Sequence, residues 1–332
     1  MTRKILLVGI FFIIGIILLS CNKKKEEPVV EPTAVELKSF QIIPPKVTDK
    51  EYLSLNRDVT NIGIYLNKPE NILKLDVMPD IVGWFEDWNN KSSKNKIELF
   101  GTDHLAIPMI TWQPTNIPLE DIAEGKHDDY IKGYFERLAI ICPENDVLIR
   151  FAHEMEVRPD YEVTWYSWQD RENPDNYKQA WRHIVTLGHQ YNSNIKWIWS
   201  PNRADEYAQD YYPGDEYVDF VGLTLNLPEE RTSIHQTFSD FYVNEGTKEN
   251  LELYNKPILI SEVAYSGKNE EQKAAYLRSV FEYVKTDPKI VGIVFFNEDV
   301  SDHQLYRITD NELYMEVIYE EIRKIRDEKE SS

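Results

Sequence analysis

The amino-acid sequence predicts a single (β/α)8 TIM barrel, α/β in class, on three observations. Eight runs of apolar, β-branched and aromatic residues recur: Ile62–Leu66, Ile81–Phe85, Leu105–Trp112, Val147–Glu154, Ile195–Ser200, Val218–Asn226, Ile258–Val263 and Val291–Asn297. Their hydrophobicity is continuous rather than alternating, the mark of strands buried on both faces of a parallel sheet. Stretches of helical period lie near 128–141, 174–191, 230–254 and 270–286, and one over 311–327 closes the chain. Strands alternating with helices over a chain of 332 residues fit one barrel of roughly 250 residues. A doubly wound open sheet is the competitor, but no Gly-x-Gly-x-x-Gly follows the first run and no phosphate-cradling loop occurs.

Taken in chain order, the first element is an export signal. Arg3 and Lys4 precede the apolar stretch Ile5–Leu19, which is shorter than the about 20 residues a membrane span needs. Leu18-Leu19-Ser20-Cys21 resembles a bacterial lipobox. Residues 1–20 are therefore expected to be a lipoprotein signal peptide, and Cys21 the lipidated anchor of an exported protein held on the cell envelope. An unmodified signal anchor is the alternative. Residues 21–45, charged and proline-bearing without a period, read as a flexible linker, and 46–330 as the barrel. Asp175 is expected to cap the helix starting near Asn176, and Asn269 the next helix. Cys142, the only other cysteine, precedes Pro143 and reads as a small buried residue with no disulfide partner.

Composition bounds the partners. Asp and Glu number 57 against 37 Lys and Arg, a formal net charge of −20, and removing Arg3 and Lys4 makes it more negative. Such an acidic body excludes nucleic acid as a partner and suits a neutral polysaccharide. Aromatic residues make up 12%, with 8 Trp and 20 Tyr, more than core packing alone requires.

Glu154 and Glu262 end the fourth and seventh apolar runs. In a parallel barrel both would project from strand C-termini into one mouth. Paired carboxylates there suit glycosidic bond cleavage, one as proton donor and one as nucleophile or base. Glu154 would have to be protonated at rest, through burial and the charge of Glu262; Arg150 would support Glu262 in its ionised form. His153 is placed to orient a carboxylate or a sugar hydroxyl. No metal site is expected: the position four residues after His153 is Val157, and no Gly-x-Ser-x-Gly elbow occurs. Trp112, Trp165, Tyr166, Trp168, Trp199 and Phe296, at or just past strand ends, are candidate sugar platforms. Trp84 and Trp88 read as packing residues, and Trp181 and Trp197 as core.

Arg150-Phe151-Ala152-His153-Glu154-Met155, followed by Trp165-Tyr166-Ser167-Trp168, resembles the acid/base segment of glycoside hydrolase family 26. Trp199-Ser200-Pro201-Asn202, Tyr211-Tyr212-Pro213-Gly214-Asp215, Tyr217-Val218-Asp219 and Val291–Asp299 extend the resemblance over roughly residues 60 to 300. It implies a (β/α)8 fold and retaining endo-β-glycanase activity, mostly on mannans and in some members on mixed-linkage β-glucan or β-1,3-xylan. It makes Glu154 the acid/base and Glu262 the nucleophile of a cofactor-free enzyme, with Asn202 and the rings above binding a β-linked polysaccharide; a monomer is expected.

Several positions depart from the family pattern. Glu156 stands where Asn is usual, Gln113 follows Trp112 where mannanases carry histidine nearby, and Leu225 beside Asn226 replaces a tyrosine that contacts the nucleophile. Phe295-Phe296-Asn297 occupies the place of a tryptophan. The sequence leaves two rivals standing: a non-catalytic surface glycan-binding lipoprotein on the same barrel, and an inverting hydrolase with carboxyl groups about 6.5–9.5 Å apart.

Overall fold

Eight parallel strands close into a barrel in strict chain order: β1 (Asn61–Tyr65), β2 (Ile81–Asp87), β3 (Ile107–Gln113), β4 (Val147–Phe151), β5 (Ile195–Trp199), β6 (Phe220–Leu227), β7 (Ile258–Tyr265) and β8 (Ile290–Phe295). Each falls on one of the predicted runs. A computed structural model of the chain describes residues 55, 60–68, 71, 75–89, 96–97, 106–143, 145–156, 164–192 and 194–331. The signal-peptide, Cys21 and linker assignments lie outside the described residues. Among the described residues no helix is long and apolar enough to cross a membrane.

The helices are α1 (Leu119–Ala123), α2 (Asp128–Ile141), α3 (Pro174–Tyr191), α4 (Glu206–Gln209), α5 (Phe238–Tyr242), α6 (Thr247–Leu251), α7 (Glu270–Val284) and α8 (Glu312–Ser331). A short hairpin, β9 (Asp299–Ser301) with β10 (Gln304–Leu305), follows β8. The period-2 alternation of the strands sorts two cores. One set, including Ile107, Met109, Leu148, Ile198, Phe220 and Leu259, fills the barrel; the other, including Ile110, Ile149, Trp197, Val221 and Ile260, packs under the helices. Cys142, Trp84, Trp88, Trp181 and Trp197 are buried, as the sequence implied.

Two local expectations fail. The predicted helix over 230–254 is broken into a 3-10 turn (Glu229–Arg231), α5 and α6. Thr237 and Asp240 form a reciprocal capping box that starts α5 afresh. Gly246, at φ +77°, takes the left-handed turn that starts α6. Asp175 does not cap α3: Pro174 takes its first position behind Asn173, and Asp175 lies in the first turn, where its charge still favours the helix N-terminus. Asn269 does cap α7, accepting from the Gln272 amide.

Candidate active site

The same alternation that fills the barrel with aliphatic side chains ends in a polar layer at the strand C-termini. Two residues beyond Leu148 comes Arg150, two beyond Ile198 comes Ser200, and four beyond Phe220 comes Thr224. Arg150 is fully buried, and its guanidinium ties the layer together. Nε donates to Ser200 Oγ at 2.8 Å and Nη2 to Thr224 Oγ1 at 2.9 Å. Nη1 donates to the Glu262 carboxylate and, at 3.4 Å, to Tyr65 OH, which itself pairs with Thr111 Oγ1 at 2.9 Å. A buried guanidinium needs a counter-charge, and Glu262 is in contact with it.

Glu262 reaches the barrel interior through a β-bulge. Gly222 pairs with Leu259 and Thr224 with Glu262, so β7 spends one residue more than β6 over this stretch; a second irregularity against β8 falls between Ile260 and Val263. A bulge of this kind re-aims the side chain that follows it. The bulge crowds Gly222, where an added Cβ would lie 2.3 Å from Ser261 Oγ, so only glycine fits there. The second oxygen of Glu262 accepts from Asn226 Nδ2 at 2.9 Å.

Glu154 is placed by its own backbone. Ala152 and Glu154 have φ of +41° and +51°, so the chain turns sharply on either side of His153. The turn is pinned by Ala152 N–H to the Trp112 carbonyl (3.0 Å) and Glu154 N–H to the Ser200 carbonyl (2.8 Å). Gln169 Nε2 donates to the Glu154 carbonyl at 2.6 Å, while its Oε1 accepts from the Trp165 and Tyr166 amides. One glutamine thus fixes Glu154 and the neighbouring aromatic segment together. The Glu154 carboxyl is hydrogen-bonded by Thr224 and Asn202.

These surroundings set the protonation states. Burial, and then the charge of Glu262, raise Glu154 above the usual carboxylate range, against the opposing pull of Arg150. Burial and Arg150 hold His153 well below the usual imidazole range, so it is neutral. His153 is enclosed by Tyr166 (4.9 Å between ring centroids), Phe85 and Trp168, and its Nδ1 has no partner among the described residues. One ligating atom each of His153, Glu154 and Glu262 lies within 4.8 Å of the others. This is the one set the geometry offers to a metal ion among the described residues, but the guanidinium bonded to Glu262 opposes a cation there.

A cleft of about 1000 Å³ opens over the pair. On the side of β5 and β6 it is lined by Asn202, Arg203, Asp205 and Arg231, with Glu249 and Asn250 of α6. On the side of β8 and β2 it is lined by Phe85, Phe296, Val300, Gln304 and Tyr306. Of the predicted site residues, Glu154, Glu262, Asn202, Trp165, Tyr166 and Phe296 line this cleft, and Trp165 is 52% exposed.

Trp112, Trp168 and Trp199 are corrections: all three are buried and none lines the cleft. Trp112 packs on Tyr134 and Trp88, and Trp199 on Tyr212 and Tyr254, all behind the strands. Trp168 stacks on Tyr166 at 4.5 Å and donates Nε1–H to the His153 carbonyl, so it supports the site from beneath. His153 likewise sits under the pair at 1% exposure rather than on the cleft wall.

Thr224, Ser200 and Gln169 went unrecognised. The first two carry a signal, since a hydroxyl at an interior position near a strand end is a polar-layer position. Gln169 carries none. Asn226, read only as a neighbour of a missing tyrosine, is the residue that bonds Glu262.

The barrel is similar to solved structures of low identity. A family 26 β-mannanase from Bacteroides ovatus matches with TM-score 0.55 at 13% identity, covering 79% of this chain and 88% of that one. Among curated relatives, Endoglucanase H of Acetivibrio thermocellus is 28% identical over 248 residues, 68% of this chain and 25% of that protein. A mannan endo-1,4-beta-mannosidase of Bacillus subtilis (strain 168) is 31% identical over 175 residues, 49% of this chain and 43% of that protein. The chain thus spans less than half the length of these two relatives. The family model for glycosyl hydrolase family 26 matches residues 110–283, a stretch holding β4 to β7 with both glutamates, and the chain belongs to that family.

Proposed function

We propose that this protein is a retaining endo-β-glycanase, with Glu262 as nucleophile and Glu154 as acid/base. The observation that carries the reading is separation: carboxylate oxygens of the two glutamates come within 4.8 Å. A retaining pair stands about 5–5.5 Å apart, whereas an inverting pair leaves about 6.5–9.5 Å for a water molecule. In the first step Glu262 attacks the anomeric carbon. The glycosidic C–O bond breaks as Glu154 passes its proton to the leaving oxygen. In the second, the Glu154 carboxylate takes a proton from water, the water oxygen bonds to the anomeric carbon, and Glu262 is released. Arg150 and Asn226 hold the nucleophile; burial keeps a proton on Glu154 at rest.

Support for the substrate class comes from the relatives and the cleft. The relatives are named for glucan and mannan cleavage, and the cleft of about 1000 Å³ over the pair is lined by uncharged polar and aromatic side chains as well as charged ones, which suits a neutral sugar chain. A β-linked glucan or mannan backbone is the reading supported best. The chemistry is tested by following the first-formed anomer by NMR on mixed-linkage glucan, mannan and xylan. Retention on at least one polymer is expected, and abolition of hydrolysis by Glu262→Ala with glycan binding kept; inversion, or substantial residual turnover in that variant, rules the nucleophile assignment out. From the lipobox-like junction we also infer export and lipid anchoring at Cys21. Cys21→Ser should move the protein from the membrane to the soluble fraction, and unchanged fractionation would count against the anchor.

A further inference from the structure

The wall of the cleft over β8 is the β9–β10 hairpin, which supplies Val300, Gln304 and Tyr306, and no step of the reaction above uses it. Val300 is 61% exposed at the rim. Tyr306 packs edge-on against Phe296 at 5.8 Å, which in turn meets Tyr65 and Phe85, so the hairpin continues the aromatic floor. Gln304 lines the cleft, and no hydrogen bond among the described residues engages its side-chain amide. A glutamine amide offers an acceptor and two donors and no charge, which suits a hydroxyl of a neutral sugar.

The hairpin is held from below by an unusual group. Lys273 of α7 is 3% exposed, and its Nζ donates to the carbonyls of Leu305 (2.9 Å) and Arg307 (3.0 Å), directly beyond Gln304. Its ammonium lies over the Tyr314 ring of α8 at 5.0 Å and has no carboxylate in ion-pair range among the described residues. Burial holds its pKa down to about 8, against the pull of Asp299 in the hairpin. Ser266, at the end of β7, adds a second tie, donating to the His303 carbonyl at 3.0 Å and accepting from the Leu305 amide at 2.8 Å. An apolar side chain would pack here without that desolvation penalty; what the lysine supplies instead is two donors to the backbone of the cleft wall.

We propose that the hairpin reads the bound chain at a sugar away from the bond being cut, with Gln304 as a specificity-determining residue that hydrogen-bonds a ring hydroxyl and Lys273 as the positioning residue that sets its place. This rests on the glycan-hydrolase reading, and its test is separable from it. Affinity for a neutral β-gluco- or β-manno-oligosaccharide is measured by calorimetry in the Glu262→Ala background, alone and with Gln304→Ala, Lys273→Met, or both. Each added change should weaken binding about 3- to 10-fold, the worth of one hydrogen bond, and the two together no more than the larger alone, because they act through one contact.

In the otherwise unaltered enzyme, Lys273→Met should raise KM by a similar factor and move kcat less than twofold. Additive losses, a fall in kcat without a rise in KM, or binding untouched by Gln304→Ala would overturn the proposal. Gln304 lies on a two-residue edge strand, so its variant tests the hairpin even if Lys273→Met fails to fold. A wild-type protein that binds these oligosaccharides but releases no reducing ends would sink the hydrolase reading and leave the hairpin tested by affinity alone.

Discussion

The two glutamates occupy opposite kinds of surroundings. Glu262 sits on a bulged strand, in contact with a buried guanidinium and an amide, both oxygens engaged. Glu154 sits on a left-handed turn beyond its strand, bonded only by neutral partners, and pushed upward by burial and by Glu262. Two identical side chains meet different surroundings because only one is in contact with a fixed positive charge. Thr224 links the halves: its hydroxyl accepts from Arg150 and also bonds Glu154.

A large effect should come from removing the Glu154 carboxyl. Glu154→Ala is expected to cut turnover of a β-glycan about 10²- to 10⁴-fold, and far less for an aryl glycoside whose leaving group needs no proton. Equal losses on both substrates would mean that Glu154 does not protonate the leaving oxygen. Arg150→Met attacks the other half by leaving Glu262 buried without its counter-charge. It should lower unfolding free energy by about 3–5 kcal/mol in urea titrations as well as abolish activity, and an unchanged midpoint would deny the pair its structural role.

A smaller effect concerns Glu156, 2% exposed, whose Oε1 accepts from the Arg203 amide at 2.9 Å while Oε2 has no partner among the described residues. Burial raises its pKa to about 8. Between the unfolded value near 4.5 and that folded value, the native state holds a proton that the unfolded chain has released. Stability therefore falls as pH rises through this window. Glu156→Gln removes the penalty: it should match wild type at pH 4 and exceed it at pH 8 by roughly 1–3 kcal/mol. Equal stability at both pH values would show that Glu156 folds ionised. The subtlest test sharpens the comparison itself. Glu262→Gln deletes one cause of the raised Glu154 pKa, so carboxyl NMR titration of Glu154 should show a downward shift, and no movement would mean that burial alone sets it.

Much of this was legible in the sequence, for physical reasons. Strands buried on both faces leave continuous apolar runs, so all eight were visible, and strand ends are where barrel side chains converge, so the pair was too. What stayed hidden depends on the third dimension. The bulge at Ser261–Glu262 shows only as one extra pairing residue. Trp112 and Trp199 stand at strand ends like true platform residues, yet the alternation turns them outward under the helices, and Trp168, in the loop after β4, folds beneath Tyr166. The interruption at Gly246 was readable, since a glycine followed by Thr247 inside a long helical stretch is a boundary signal.

The left-handed turn at 152–154 also constrains redesign. Because the torsions of Ala152 and Glu154 aim the Glu154 side chain, a library randomising these positions should enrich glycine and asparagine at 152 and reject valine, isoleucine and threonine. New specificity is therefore better sought in the side chains of the rim than in the turn that carries Glu154.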